Sequence, residues 1–140
     1  ESQSAEEDNS LLLKVAGEME DALGQNSPKS SLDDTLLQKL YNIDIKDVKH
    51  YVGFIPQMVV DAEEFLLIEA CPGKAAQIEV GIQYRLLELD QAWRDYQPQQ
   101  YQLVKDYHLI RRGDIFFFVI SPKADLLEEI FVKHFPLTEK

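Results

Sequence analysis

Apolar residues recur with the helical period at Leu12, Val15, Ala16, Met19, Ala22 and Leu23. This predicts an amphipathic helix that Asn9 or Ser10 can cap and Gly24 stops. Gln25-Asn26-Ser27-Pro28-Lys29-Ser30 then reads as a loop of breakers. Ser31 opens a second helix through a Ser-x-x-Asp cap, with Asp33 and Asp34 at its positive end. That helix carries Leu36, Leu37, Leu40 and Tyr41 on one face. From His50 the pattern becomes strand-like: Tyr51 to Ile55 is rich in strand formers and ends at Pro56. Glu64 to Ala70 is a second strand, and its Phe65-Leu66-Leu67-Ile68 run is apolar enough to be covered on both faces. Cys71-Pro72-Gly73 turns the chain into a long helix over Lys74 to Tyr96, with a buried stripe of Ala75, Ile78, Ile82, Leu86, Leu89 and Trp93. Pro98 stops it. A short helix around Gln99 to Val104 follows, then a hairpin of Tyr107–Arg111 and Ile115–Ile120 about Arg112-Gly113-Asp114. Pro122 opens a last helix carrying Leu126, Leu127, Ile130 and Phe131.

Strands that are not each separated by a helix argue against a doubly wound parallel sheet. The expected fold is α+β: an antiparallel sheet of about four strands packed against the long helix and the C-terminal helix, with N-terminal helices. The helices are expected on one face of the sheet. Residues 1–9 read as a flexible acidic leader and residues 10–140 as a single domain.

Charge narrows the classes of partner. The net charge is -11, and nine of the 25 acids but two of the 14 bases lie in residues 1–34. The remainder is therefore only mildly acidic, at -4. Such a surface repels phosphate backbones and anionic headgroups, so nucleic acid is not an expected partner. Arg111-Arg112 is too small a basic patch to change that. The longest apolar run, Ile115 to Ile120, is strand-sized, so no transmembrane segment is expected. The chain starts Glu1-Ser2-Gln3-Ser4 without methionine, which reads as a processed or truncated start.

Candidate chemistry is sparse. Cys71 is the sole cysteine, excluding an intramolecular disulfide, and is expected to be a buried structural thiol. His50, His108 and His134 share no ligand spacing, so no metal site is expected. Phosphate loops, GxSxG elbows and HExxH helices are absent from the sequence, and no cofactor or catalytic residue is assigned. Arg85 borders the apolar stripe of the long helix and is expected to pair with Glu63 or Glu64; anion binding is its other reading. Trp93, Tyr96 and Tyr101 flank Pro98 and form a candidate binding patch, although aromatics at helical spacing also serve as core. The carboxylates of Asp61-Ala62-Glu63-Glu64, with Glu88 and Asp95, allow a small hydrolase only if two face one pocket at roughly 5–9 Å.

Leu40-Tyr41-Asn42-Ile43, the Asp61-to-Ile68 strand, Arg85, Gln91, Tyr96 and Pro98 on the long helix, and Gly113 before Ile115–Ile120 occur in an order that resembles a known family. It is the group of small uncharacterised bacterial secreted proteins or lipoproteins called domain of unknown function 4358. The resemblance spans roughly Leu36 to Phe135, and Glu69 stands where the family pattern suggests a basic residue. It implies an extracytoplasmic, envelope or secreted location, with a signal peptide or lipid anchor upstream of Glu1, and no established activity. The expected function is a non-enzymatic module that binds a protein or small molecule. The alternatives are a carboxylate-dependent hydrolase and an intracellular scaffold or regulatory protein.

Overall fold

The run Glu64–Ala70 is the middle strand of a five-stranded antiparallel sheet, and that position accounts for its composition. A computed structural model describes residues 2–24, 29–58 and 61–136, with the side chains of the first helix described from Leu11 onward. In chain order the elements are α1 (Ser2–Leu23), β1 (Lys29–Ser31), α2 (Asp34–Tyr41), a 3-10 turn (Ile45–Asp47), β2 (Val48–Pro56) and β3 (Glu64–Ala70). They continue with α3 (Ala75–Trp93), α4 (Pro98–Lys105), β4 (His108–Arg112), β5 (Ile115–Ile120) and α5 (Ala124–His134). The strand order is β1-β2-β3-β5-β4, so β3 lies between β2 and β5. Phe65 pairs with Phe54 on one side and Val119 on the other.

Side chains alternate across the pleat, and this sorts the core into two layers. Leu66 and Ile68, with Phe116, Phe118 and Ile120, face α2, α3 and α4. Phe65 and Leu67, with Phe54, Phe117 and Val119, face α1 and α5. The expectation that helices cover one face is therefore corrected: they cover both. The Phe65–Ile68 run requires this, because exposing either half of it would leave large apolar surface in water.

Three further details differ from the sequence reading. Lys29–Ser31 forms an edge strand against Phe54–Pro56, where a loop was expected, raising the sheet from four strands to five. Residues 25–28 of that loop lie outside the described residues. The cap of α2 is Asp33, whose carboxylate accepts from the Leu36 amide at 2.8 Å, while Ser31 belongs to β1. Helix α1 spans Ser2–Leu23, so it begins ahead of the Asn9 or Ser10 cap that the sequence suggests. Ala5, Glu6 and Glu7 are good helix formers, and adding turns to a helix already packed at Leu12 and Val15 is cheap beside nucleating one.

Helix α3 lies close to the chain leaving α2. A Cβ built on Gly81 would overlap Ile43 Cγ1 and meet the Tyr41 carbonyl at 2.7 Å. Gly17 on α1 has nothing within 4 Å of the same position. Gly81→Ala is expected to destabilise the domain by about 1–3 kcal/mol through overpacking. Gly17→Ala is expected to stabilise it by about 0.5–1 kcal/mol through helix propensity. Urea unfolding followed by circular dichroism measures both, and midpoints moving in opposite directions are the expected result.

Candidate functional site

Glu64 opens β3 with the same pleat parity as Leu66 and Ile68, which turns its side chain toward α3. It is 1% exposed. A carboxylate so placed needs partners, because an isolated buried charge is strongly disfavoured. Arg85 of α3 supplies a fork: Nε donates to Oε2 at 2.8 Å and Nη2 to Oε1 at 2.7 Å. Tyr41, the last residue of α2, donates its hydroxyl to Oε2 at 2.6 Å. The guanidinium also lies 5.8 Å from the centre of the Tyr41 ring, within cation–π range. One carboxylate thus joins the central strand to two helices.

The electrostatics follow from burial. Desolvation and then the Glu64 charge push the Tyr41 phenol well above its ordinary range, so it remains a donor. For Arg85, burial alone would lower the pKa, but the hydrogen bonds to and charge of Glu64 outweigh it and raise it. The Arg85 side chain is 13% exposed. Elsewhere on α3, Asp90 lies below the usual carboxylate range, first because Tyr101 donates to it at 2.8 Å and then because of Arg94.

Glu63 goes the other way. Its Oε2 accepts from Ser121 Oγ at 2.6 Å, and its Oε1 lies 3.2 Å from Lys29 Nζ. Lys29 also stands over the Phe54 ring, on the side of α1 and α5. Of the two acids proposed for Arg85, the structure brings Glu64 to it and sends Glu63 to the opposite layer. Trp93 and Tyr96 are in contact, with ring centres 5.4 Å apart. Trp93 is buried and Tyr96 exposed, while Tyr101 turns to Asp90 at the α3–α4 junction.

Beside the charge pair an open groove of about 300 Å³ runs between the end of β2 and α3. Leu40, Ile55, Met58, Leu89 and Trp93 give it apolar walls, with Asp61, Glu64 and Arg85 also on its surface. Met58 is 50% exposed. Gln100 of α4 steadies the adjoining segment by accepting from the Ala62 amide at 2.8 Å. Sequence reasoning missed two contributors, Met58 and the Tyr41 hydroxyl. Tyr41 stood out only as part of an apolar face, and nothing in its spacing names Glu64 as a partner.

The remaining candidates lie elsewhere. Cys71 is half-buried, not fully buried as expected, and its Sγ is 3.6 Å from the Lys46 carbonyl. His108 contacts Glu128 and Asp125, and His134 Nε2 lies 3.1 Å from Glu18. The His134 hydrogen bond is the largest influence holding Glu18 below its ordinary value. Among the described residues no three His, Cys, Asp or Glu side chains are grouped to hold a metal ion.

Tyr41, Glu64 and Arg85 all fall within the motifs that carry the family resemblance. Residues 22–121 match the family described as Domain of unknown function (DUF4358). The chain belongs to this family. The DUF4358 match begins before β1 and ends just after β5, whereas the resemblance read from motifs ran from Leu36 to Phe135. It therefore takes in the whole sheet and the α2–α4 layer, and leaves out α5 and all but the end of α1. No curated protein and no solved structure matches the chain.

Removing one member of a buried pair strands the other. Glu64→Gln and Arg85→Met are each expected to cost about 3–5 kcal/mol, and the double variant clearly less than their sum. A double-mutant cycle by urea unfolding measures this; additive losses would mean that the two groups do not interact.

Proposed function

We propose that this domain is a non-enzymatic, extracytoplasmic binding module, tethered to the cell envelope, that receives the apolar part of a protein or small-molecule partner in the groove beside α3. The observation that carries the reading is the contrast between the groove's walls and its charges. Leu40, Ile55 and Met58 offer apolar surface to solvent above the buried Leu89 and Trp93. The neighbouring carboxylate of Glu64 is already held by Arg85 and Tyr41. Apolar pockets with few polar groups are the usual form of a small binding site. The extracytoplasmic location is supported by the motif resemblance to small bacterial secreted proteins and lipoproteins.

The hydrolase reading finds less support in the same geometry. It needs two carboxyls on one pocket, one free to hold and release a proton. Two carboxylates, Asp61 and Glu64, do line the groove, but Glu64 is fixed by a bidentate arginine, and Asp61 accepts from the Glu63 amide at 2.9 Å and lies 3.7 Å from Lys29 Nζ. Glu63 is engaged with Ser121 and Lys29 in the other layer. An intracellular scaffold would use the same groove and differ in compartment alone; the full-length protein is expected in the envelope fraction of its source cells.

Trp93 is the sole tryptophan and lines the groove, so its emission reports occupancy. Titration with envelope-extract fractions and with a panel of small apolar fragments is expected to shift that emission. Met58→Glu, at an exposed position, is expected to keep the urea midpoint and weaken binding about tenfold or more. Undiminished binding by that variant, or no response to any fraction or fragment, contradicts the proposal.

A further inference from the structure

Helix α3 is apolar on more than its buried side. Ala75, Ile78, Ile82, Leu86, Leu89 and Trp93 face the core. On the opposite side Ala76, Val80, Gln83, Tyr84, Leu87 and Gln91 are all exposed, and none is charged. Val80 is 68% exposed, Leu87 59% and Tyr84 40%. Their spacing of four and then three residues sets them on one line along the helix. In a chain with 28% charged residues, a solvated helix face would carry acids and bases. Here the acids stand beside the stripe, with exposed Glu79 on one flank and Glu88 on the other.

At its N-terminal end the stripe runs into a separate open groove of about 420 Å³, in which Ile43, Asp44 and Asp47 face Ala76, Gln77 and Val80. Asp47 is 8% exposed, and its Oδ1 has no hydrogen-bond partner among the described residues. The Lys74 ammonium lies 3.9 Å from it, and that of Lys46 lies 3.8 Å from Asp44. Both distances exceed a hydrogen bond. The end of the stripe therefore holds an incompletely satisfied acceptor beside apolar surface.

We infer that the outer face of α3 docks an amphipathic helix of a partner protein. Its apolar side would rest on Val80, Tyr84 and Leu87, its basic flanks would meet Glu79 and Glu88, and a Lys or Arg would reach Asp44 and Asp47. The span from Ala76 to Gln91 is about 22 Å, enough for about four turns of a partner helix. Charge chooses between a partner and a second copy. Two α3 helices packed face to face would bring acidic flanks together within an acidic protein, whereas a basic helix complements them. This surface lies on the side of α3 away from the Met58 groove, and the inference stands independently of that groove's occupancy.

The test is a titration of the isotope-labelled full chain with a synthetic helical peptide of about 16 residues, Leu on one face and Lys on both flanks, followed by amide shifts. The controls are the same peptide with Glu flanks and the chain carrying Leu87→Glu. Shifts confined to Val80, Tyr84, Leu87 and the Asp44–Asp47 turn are expected, with affinity about tenfold lower for Leu87→Glu and for the Glu-flanked peptide. Asp44→Asn, at an exposed position, is expected to weaken binding without moving the unfolding midpoint. Equal binding by Leu87→Glu, shifts centred on another surface, or no binding of the Lys-flanked peptide overturns the inference. So does a dimer in sedimentation that Leu87→Glu dissociates, which would assign the face to a second copy.

Discussion

Glu64 is a charged residue at the start of the most buried strand in the molecule, and much of the surrounding structure can be read as the means of keeping it there. Its two oxygens require donors, and these come from α2 through Tyr41 and from α3 through Arg85. Because the donors are a rigid fork and a ring hydroxyl, they fix direction as well as distance. The end of α2, the middle of α3 and the edge of β3 are thus held at one point. The approach of Gly81 to the Tyr41 carbonyl and Ile43 belongs to the same junction. Hydrophobic residues of similar volume often stabilise as much as a buried ion pair, so what the charge adds is a defined register of helices on the sheet.

The second layer follows from the central strand being apolar on both sides. Phe65 and Leu67, with Phe54, Phe117 and Val119, need cover, and α1 and α5 provide it. These two helices are also joined by polar contacts. Lys123 donates to the Ala22 and Leu23 carbonyls at the C-terminal end of α1, and Lys133 and His134 meet Glu18. The DUF4358 match covers the sheet and the layer that holds Glu64, while the second layer is supplied almost wholly by flanking chain. Both proposed binding surfaces lie on the α3 side, within the family segment.

The long helix, the hairpin and the α+β class were legible because their signals are local: a sustained apolar stripe, and a glycine with φ 62° at Gly113 between two strand-like runs. Strand β1 was not, because Lys29-Ser30-Ser31 carries no apolar alternation and is extended only through pairing with β2. The one-sided helix layer was a failure of integration, since the Phe65–Ile68 run already indicated two covered faces. Arg85 drew attention by its place at the edge of an apolar stripe. Choosing Glu64 over Glu63 depends on which face of β3 meets α3, a tertiary fact that neither residue's neighbours reveal. The Tyr41 hydroxyl is harder still, because it completes a site whose other members lie 23 and 44 residues further along the chain.

The most direct test of the Glu64 junction observes the Arg85 guanidinium itself. In a nitrogen-15 spectrum of the full chain, the Arg85 Nε–H is expected as a resolved, downfield resonance with slow solvent exchange, assigned by its loss in Arg85→Met. Glu64→Gln, examined where it remains folded, should return an otherwise intact Arg85 to the rapidly exchanging position of a surface arginine. A fast-exchanging Arg85 Nε–H in the unaltered protein would contradict the account, because it would mean that the buried carboxylate is not held by this arginine.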